Sequence, residues 1–350
     1  MINPNIPRAR NVKLKLVSNL NDWDGVTGPV NRDLRQVVVQ KATIGKNYTY
    51  ALQHVAGDTF VYRGHNGQNV NFNKNKPVLF MTGTAAGHTQ TFECANKFGQ
   101  YFVGTKPNDL NMSSTWSSWS KQIARVSLWH AQKYRSNTSV QPRLANLNHA
   151  GSDFGVGCAG DQFARVEAAV SPDGQYFLIA YGDNDHNGYF ALYRLSAIND
   201  ALDHATTASK YVDITTVQCL AAFKIPTLSG NQGQVGSLQG FALDHYVVNH
   251  NDQFNLYLSS QPSTDTAGFD RKIVKIPWGE INAAGWELVD LTTATELAIP
   301  GYYTEVEGIQ GVSNNNVLVT VAYHQLHDFA NPTKHPTKIN KIYQVTWGLL

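Results

Sequence analysis

Five acidic or amide side chains recur at the head of similar hydrophobic segments: Gln36 in QVVVQK, Gln90 in QTFECA, Glu167 in EAAVSP, Gln239 in QGFALD and Glu307 in EGIQGV. Two of them are carboxylates. An inverting glycosidase sets a general acid and a general base about 6.5–9.5 Å apart, so Glu167 and Glu307 are candidate catalytic residues if the fold brings their segments together. The flanking residues show neither the apolar setting nor the like charge that raises an acid's pKa. Recurrence in every segment favours a scaffold role instead, a polar ring whose members satisfy neighbouring strands.

Other chemistry-bearing residues are sparser. His88 precedes Gln90 by two positions and is a candidate base or binding residue, but neither it nor Cys94 carries a nucleophile signature. His324, His327 and His335 lack a zinc spacing, and no metal is expected. The run Asp183-Asn184-Asp185-His186-Asn187-Gly188 begins like a calcium loop, yet Arg194 stands where the closing glutamate belongs, so a tight turn is the better reading. Trp116 and Trp119 flank a serine-rich stretch, a composition suited to stacking on sugar rings or a receptor surface. Trp129 follows a strand directly and is expected in the core.

Positioning these residues requires many strands. Each opening segment is followed by a second strand (NYTYALQHV, QYFVGTKP, QYFLIAYG, FNLYLSSQ, NVLVTVAYH) and a third (TFVYRG, KQIARVSL, GYFALYRL, KIVKIPW, INKIYQVTW). Turn chemistry such as Ser171-Pro172-Asp173-Gly174 separates them. Repeated meanders too thin to bury both faces alone are what a β-propeller arranges around a channel. The expected fold is therefore all-β, a five-bladed β-propeller rather than a two-sheet sandwich. Residues 1–350 are read as a single domain, with five units over residues 36–347 and a closing strand within residues 1–20. In that closing segment NVKLKLVSN alternates with period two and completes the last blade. Spacing beyond the roughly 40–50 residues of common blades implies loop insertions near residues 129–161 and 196–235, the second opening with a short helix, SAINDALDHA.

Composition excludes several function classes. With 28 Lys and Arg against 26 Asp and Glu, the net charge of +2 offers no footprint for nucleic acid. Three cysteines cannot frame a disulfide scaffold. No run of 18 apolar residues is present, so no membrane-spanning helix is expected. No signal-peptide pattern follows the basic start.

Several segments together resemble the helveticin J family of class III bacteriocins from lactobacilli: AGHTQT (86–91), KQIARVSL (121–128), RLANLNHAGS (143–152), EAAVSP (167–172), LQGFALD (238–244), YLSSQ (257–261), KIVKIP (272–277), IPGYYTEVEGIQ (299–310) and VLVTVAYH (317–324). They stand in family order and cover the chain from Gln36 to Trp347. The resemblance implies a secreted, large, heat-labile antibacterial protein that recognises the envelope of related bacteria and kills them. Its partner would be an envelope glycan or surface receptor. It implies no cofactor and carries over no catalytic residue. A wall hydrolase using Glu167 and Glu307, and a surface lectin without lethal activity, are the competing expectations.

Overall fold

The computed structural model describes residues 5–20, 36–70, 72–73, 75–106, 119–135, 141–205, 210–261, 270–326 and 336–348. The strands form five sheets arranged as the five blades expected. The chain begins with β1 (Lys13–Asn19), which waits for the last blade. Blade one is the antiparallel meander β2 (Val39–Ile44), β3 (Tyr48–Val55), β4 (Asp58–His65) and β5 (Leu79–Met81). Blade two is β6 (Phe92–Cys94), β7 (Gln100–Thr105) and β8 (Gln122–Ser127).

The two segments expected as insertions do more than loop. The first supplies β9 (Gln132–Tyr134), parallel to β5, and β10 (Arg143–Ala145), antiparallel to β8. Blade three then runs through β11 (Phe163–Val170), β12 (Tyr176–Asp183) and β13 (Gly188–Arg194). The second segment opens with the expected helix, α1 (Leu195–Asp203), whose buried Leu195, Ile198, Asn199 and Leu202 share one face at helical spacing. It then gives β14 (Tyr211–Asp213), parallel to β10, and β15 (Cys219–Ile225), the outer strand of blade three. These additions cover sheet edges that would otherwise present unpaired backbone groups. Blade four is β16 (Gly240–Val248), β17 (Asn251–Ser260), β18 (Lys272–Pro277) and β19 (Glu287–Asp290); blade five is β20 (Tyr302–Ser313), β21 (Asn316–Gln325) and β22 (Thr337–Thr346).

Strand β1 pairs antiparallel with β22, from Lys13 opposite Thr346 to Asn19 opposite Lys341. The ring is thus joined by its first and last strands. Apolar residues on alternate positions of each sheet meet those of the next, giving a hydrophobic cluster at each of the five blade junctions.

Close to the axis the inner strands crowd together, and small residues permit it. A Cβ on Gly308 would stand 2.6 Å from the Gln40 carbonyl oxygen, and one on Gly240 would stand 2.7 Å from the Ile309 nitrogen. Lys41 fills the corresponding place in blade one. Fully buried, it pairs with Glu93 of blade two at 2.7 Å and donates to the Ile309 carbonyl of blade five.

Away from the axis, blades three and four are latched by charge. His245 Nδ1 meets Asp173 at 2.6 Å and Nε2 meets Asp252 at 2.9 Å, while Tyr176 donates to Asp252 at 2.7 Å and the Arg194 guanidinium lies over the Tyr176 ring. Burial disfavours the imidazolium, but the hydrogen bonds and charges of the two aspartates raise His245 above its ordinary value.

Two predictions follow from ring closure and the latch. Deleting residues 1–20 strips β22 of its partner and removes buried Ile6 and Leu20, so the melting temperature should fall by about 10 °C or the chain should fail to fold. Unchanged thermal unfolding would show that β1 closes nothing. For the latch, the folded state binds the His245 proton more tightly than the unfolded chain. That contribution is complete below about pH 6.5 and is lost as pH rises through the raised value. The aspartates are held below their ordinary range by hydrogen bonds that outweigh desolvation; their share fades only as pH falls below about 4. His245→Gln should therefore lower the melting temperature more at pH 5.5 than at pH 8.5, and an equal loss at both would refute a charged latch.

Candidate functional site at the channel mouth

Each inner strand enters the molecule at one end of the channel and brings a polar side chain to the axis. Gln90, Glu167, Gln239 and Glu307 meet there, all buried. Gln90 is the hub: its Nε2 lies 3.2 Å from Glu307 Oε2, 3.4 Å from Gln239 Oε1 and 3.1 Å from Gln40 Oε1. Gln36 is not in the ring. It lies near the start of blade one and accepts from Lys338 at 3.1 Å. Gln40, four residues on, takes the place expected for it. The run QVVVQK holds two glutamines, and the strand begins at Val39, so Gln40 lies within it and Gln36 before it.

Glu167 is saturated. Its Oε2 accepts from Thr89 Oγ1 at 2.8 Å, the Gln90 amide at 3.0 Å and Thr91 Oγ1 at 2.6 Å; its Oε1 accepts from Arg165 at 3.0 Å. Gln90 stands between it and Glu307, touching both.

A second tier lies one alternation nearer the mouth. Because side chains two apart share a face of a strand, the residues preceding ring members by two positions also face the axis. They are His88, Arg165, Ser237 and Glu305, all lining a cavity of about 1370 Å³ at the channel mouth, walled mostly by blades three and four and reached by residues of the other three. Glu307 lines this cavity too, as do Trp119 and Phe241, whereas Glu167 does not. Arg165 passes its two terminal nitrogens to the Leu238 carbonyl at 3.0 Å, Gln90 at 2.6 Å and Glu167. Glu305 holds His324 at 3.0 Å.

Trp119 owes its position to the backbone beside it. Ser120 donates to the His88 carbonyl at 3.0 Å and accepts from the Val166 amide at 2.9 Å, so the strand leading to β8 is pinned between blades two and three. The indole stacks on His88 with ring centres 4.0 Å apart and carries the Arg165 guanidinium at 4.0 Å. Two groups at that height over one ring must occupy opposite faces, so neither face is free to stack on a sugar. Trp116 lies outside the described residues. Trp129, expected in the core, is 60% exposed and packs against Phe98 with centres 4.2 Å apart.

Protonation narrows the chemistry further. Burial, then His54 stacked on its other side, then Arg165 lower the His88 pKa to about 3. A neutral imidazole facing Gln40 Oε1 at 2.7 Å must donate from Nε2, so that nitrogen is a donor and not a base. Glu307 moves the other way: burial and then neighbouring Glu305 hold its carboxyl well above the usual range. Glu305 is the like charge that a reading of the flanking residues overlooked, and strand alternation was the signal for it and for Arg165. Asp183 accepts from Asn187 and Tyr189, which makes the 183–188 run a hairpin turn. Among the described residues no cluster of His, Cys, Asp or Glu could hold a metal, and His327 and His335 lie outside them. Cys94, Cys158 and Cys219 are free thiols.

Residues 8–348 match the family model of bacteriocin helveticin-J. Bacteriocin helveticin-J from Lactobacillus helveticus is 38% identical over 332 residues, which cover 89% of this chain and 93% of that protein. The chain belongs to the helveticin-J family. Among solved structures, this helveticin-J family chain aligns with two arabinofuranosidases at the level of the fold. The catalytic domain of the Coprinopsis cinerea GH62 α-L-arabinofuranosidase gives a TM-score of 0.45 at 8% identity, with 98% of each chain covered. The Podospora anserina α-L-arabinofuranosidase gives 0.44 at 7%, with 97% of this chain and 98% of that one covered. No chemistry is transferred from either.

The saturated state of Glu167 generates a prediction. In Glu167→Gln an amide nitrogen replaces one acceptor and Arg165 loses its buried counter-charge, a change of the kind that costs about 3 kcal/mol. The variant should unfold several degrees lower in a thermal melt. A melting temperature equal to the parent's would show that the carboxylate is dispensable to the fold.

Proposed function

We propose that this chain is an antibacterial protein of the bacteriocin type that acts outside the producing cell. It recognises a glycan-bearing component of the target envelope through the channel-mouth cavity and kills by binding and envelope disruption rather than by catalysis. The observation that carries the reading is the cavity itself. It is large enough for an oligosaccharide, and its floor is a buried, mutually hydrogen-bonded set of amide and carboxylate groups. Such groups are pre-organised to accept and donate hydrogen bonds without rearranging. The relative's name as a bacteriocin supports the antibacterial half of the proposal.

The division of labour between Glu167 and Glu307 speaks against a hydrolase built on that pair. Glu167 has four donors, Arg165 among them, and does not line the cavity, so it has no path to substrate. One observation favours a second reading: Glu307, held as the acid by burial and by Glu305, has the character of a general acid. Product analysis separates the two.

Purified walls from a susceptible strain should retain the protein in a sedimentation assay and release no reducing sugar and no free amino groups above control. Filling the mouth with Ser237→Trp should weaken wall binding and killing together by about tenfold or more, with the thermal melt unchanged. Release of reducing ends that disappears in Glu307→Gln would make the protein a hydrolase. Wall binding without killing would make it a lectin.

A further inference from the structure

Glu305 and Glu307 are two residues apart on β20, both turned to the axis and only 8% and 2% exposed. Two carboxyl groups so placed do not both ionise unless a cation serves them. The cations nearby donate their hydrogen bonds elsewhere, although the charge of Arg165 is felt at Glu307. Arg165 is divided between Gln90, Glu167 and the Leu238 carbonyl, and Lys121 donates to the Phe163 carbonyl. Glu305 has His324 on one oxygen and a long contact of 3.5 Å from Gln239 on the other. Glu307 receives only the Gln90 amide, on Oε2; its Oε1 has no partner among the described residues and is open to the cavity. The other carboxylates of the lining add to the imbalance: Asp161 and Asp183 stand with Glu305 and Glu307 against Lys121 and Arg165. The cavity is therefore acidic in a protein whose net charge is +2.

Resting on the reading of this cavity as the recognition site, we propose that Glu305 and Glu307 bind the protonated amine of an unacetylated amino sugar. An ammonium group brings three donors and a full charge to the free oxygen. A sugar hydroxyl would bring the donor without the charge. A divalent metal is not served, since no sufficient ligand cluster exists among the described residues. The remainder of the cavity selects a sugar over an alkyl amine. Its volume of about 1370 Å³ exceeds what a single lysine-like chain fills. Phe163 and Phe241 give it apolar wall against which the C–H faces of a pyranose pack, and Ser229, Ser237 and Asn184 line it with groups that can bond hydroxyls.

The test is titration of the full chain with a β-1,4-linked glucosamine tetramer, its fully N-acetylated counterpart and lysine amide, followed by calorimetry. The unacetylated tetramer should bind about tenfold or more tighter than either of the others. Glu307→Gln and Glu305→Gln, each checked by thermal melting, should each lose that preference; two carboxylate variants guard against one failing to fold. Equal affinity for the two tetramers, a preference for lysine amide, or a preference surviving in both variants would overturn the proposal. Walls N-acetylated with acetic anhydride distinguish this inference from the reading beneath it. Binding lost on acetylation supports the ammonium. Binding kept on acetylated walls sinks the ammonium and spares wall recognition, and binding to neither wall preparation sinks wall recognition itself.

Discussion

The carboxylate of Glu167 must be satisfied where five strands meet, and much of the centre of the molecule is arranged to do so. A buried carboxylate is tolerable only when paired and hydrogen-bonded. Thr89 and Thr91 approach it from blade two, the Gln90 amide lies between them, and Arg165 closes the fourth side. Once Arg165 is drawn inward for this purpose, its flat guanidinium becomes a lid on Trp119, and Trp119 in turn presses His88 against His54. A stack of four side chains from three blades is thereby ordered by one acid. Gln90 is held by the same contacts and passes the constraint on to Gln40, Gln239 and Glu307.

The polar residues at the axis have different duties because they have different access to the cavity. Glu167 and Gln90 are consumed by the scaffold, and their hydrogen-bonding capacity is spent on neighbouring strands. Glu305 and Glu307 sit at an asymmetric place, where blade five offers acids and the adjoining blades offer no uncommitted base. A propeller built from similar units becomes a receptor where the units differ, and the departures fall at Glu305 in blade five, Arg165 in blade three and His88 in blade two.

Much of the fold was legible because repetition is visible in a single chain. The five opening segments, their second and third strands, the α1 helix and the closing role of β1 are all readable as periodicity and turn chemistry. What could not be read was anything decided by pairing across blades. Gln36 and Gln40 are equivalent in QVVVQK until the strand is seen to begin at Val39, which leaves Gln36 outside it. Short strands such as β9, β10 and β14 carry too few residues for a pattern and exist because a neighbouring edge accepts them. At the site, Gln90, Glu167, Gln239 and Glu307 meet at the axis and Gln36 does not, while the hydrogen bonds that hold Glu167 were invisible, since three of their donors come from another blade. The covering of both faces of Trp119 and the exposure of Trp129 were likewise not readable from flanking residues.

The pairing of β1 with β22 also sets an order of events during synthesis. Strand β1 has no partner until β22, more than 300 residues later in the chain, emerges, so until then the growing chain holds an open arc with two unsatisfied sheet edges. Contacts of such long sequence separation form slowly, and open edges invite pairing with other chains. A cell making this protein thus handles a propeller that stays open until β22 emerges. An intermediate caught before closure would expose the inner face of blade five, where the acids of the cavity reside.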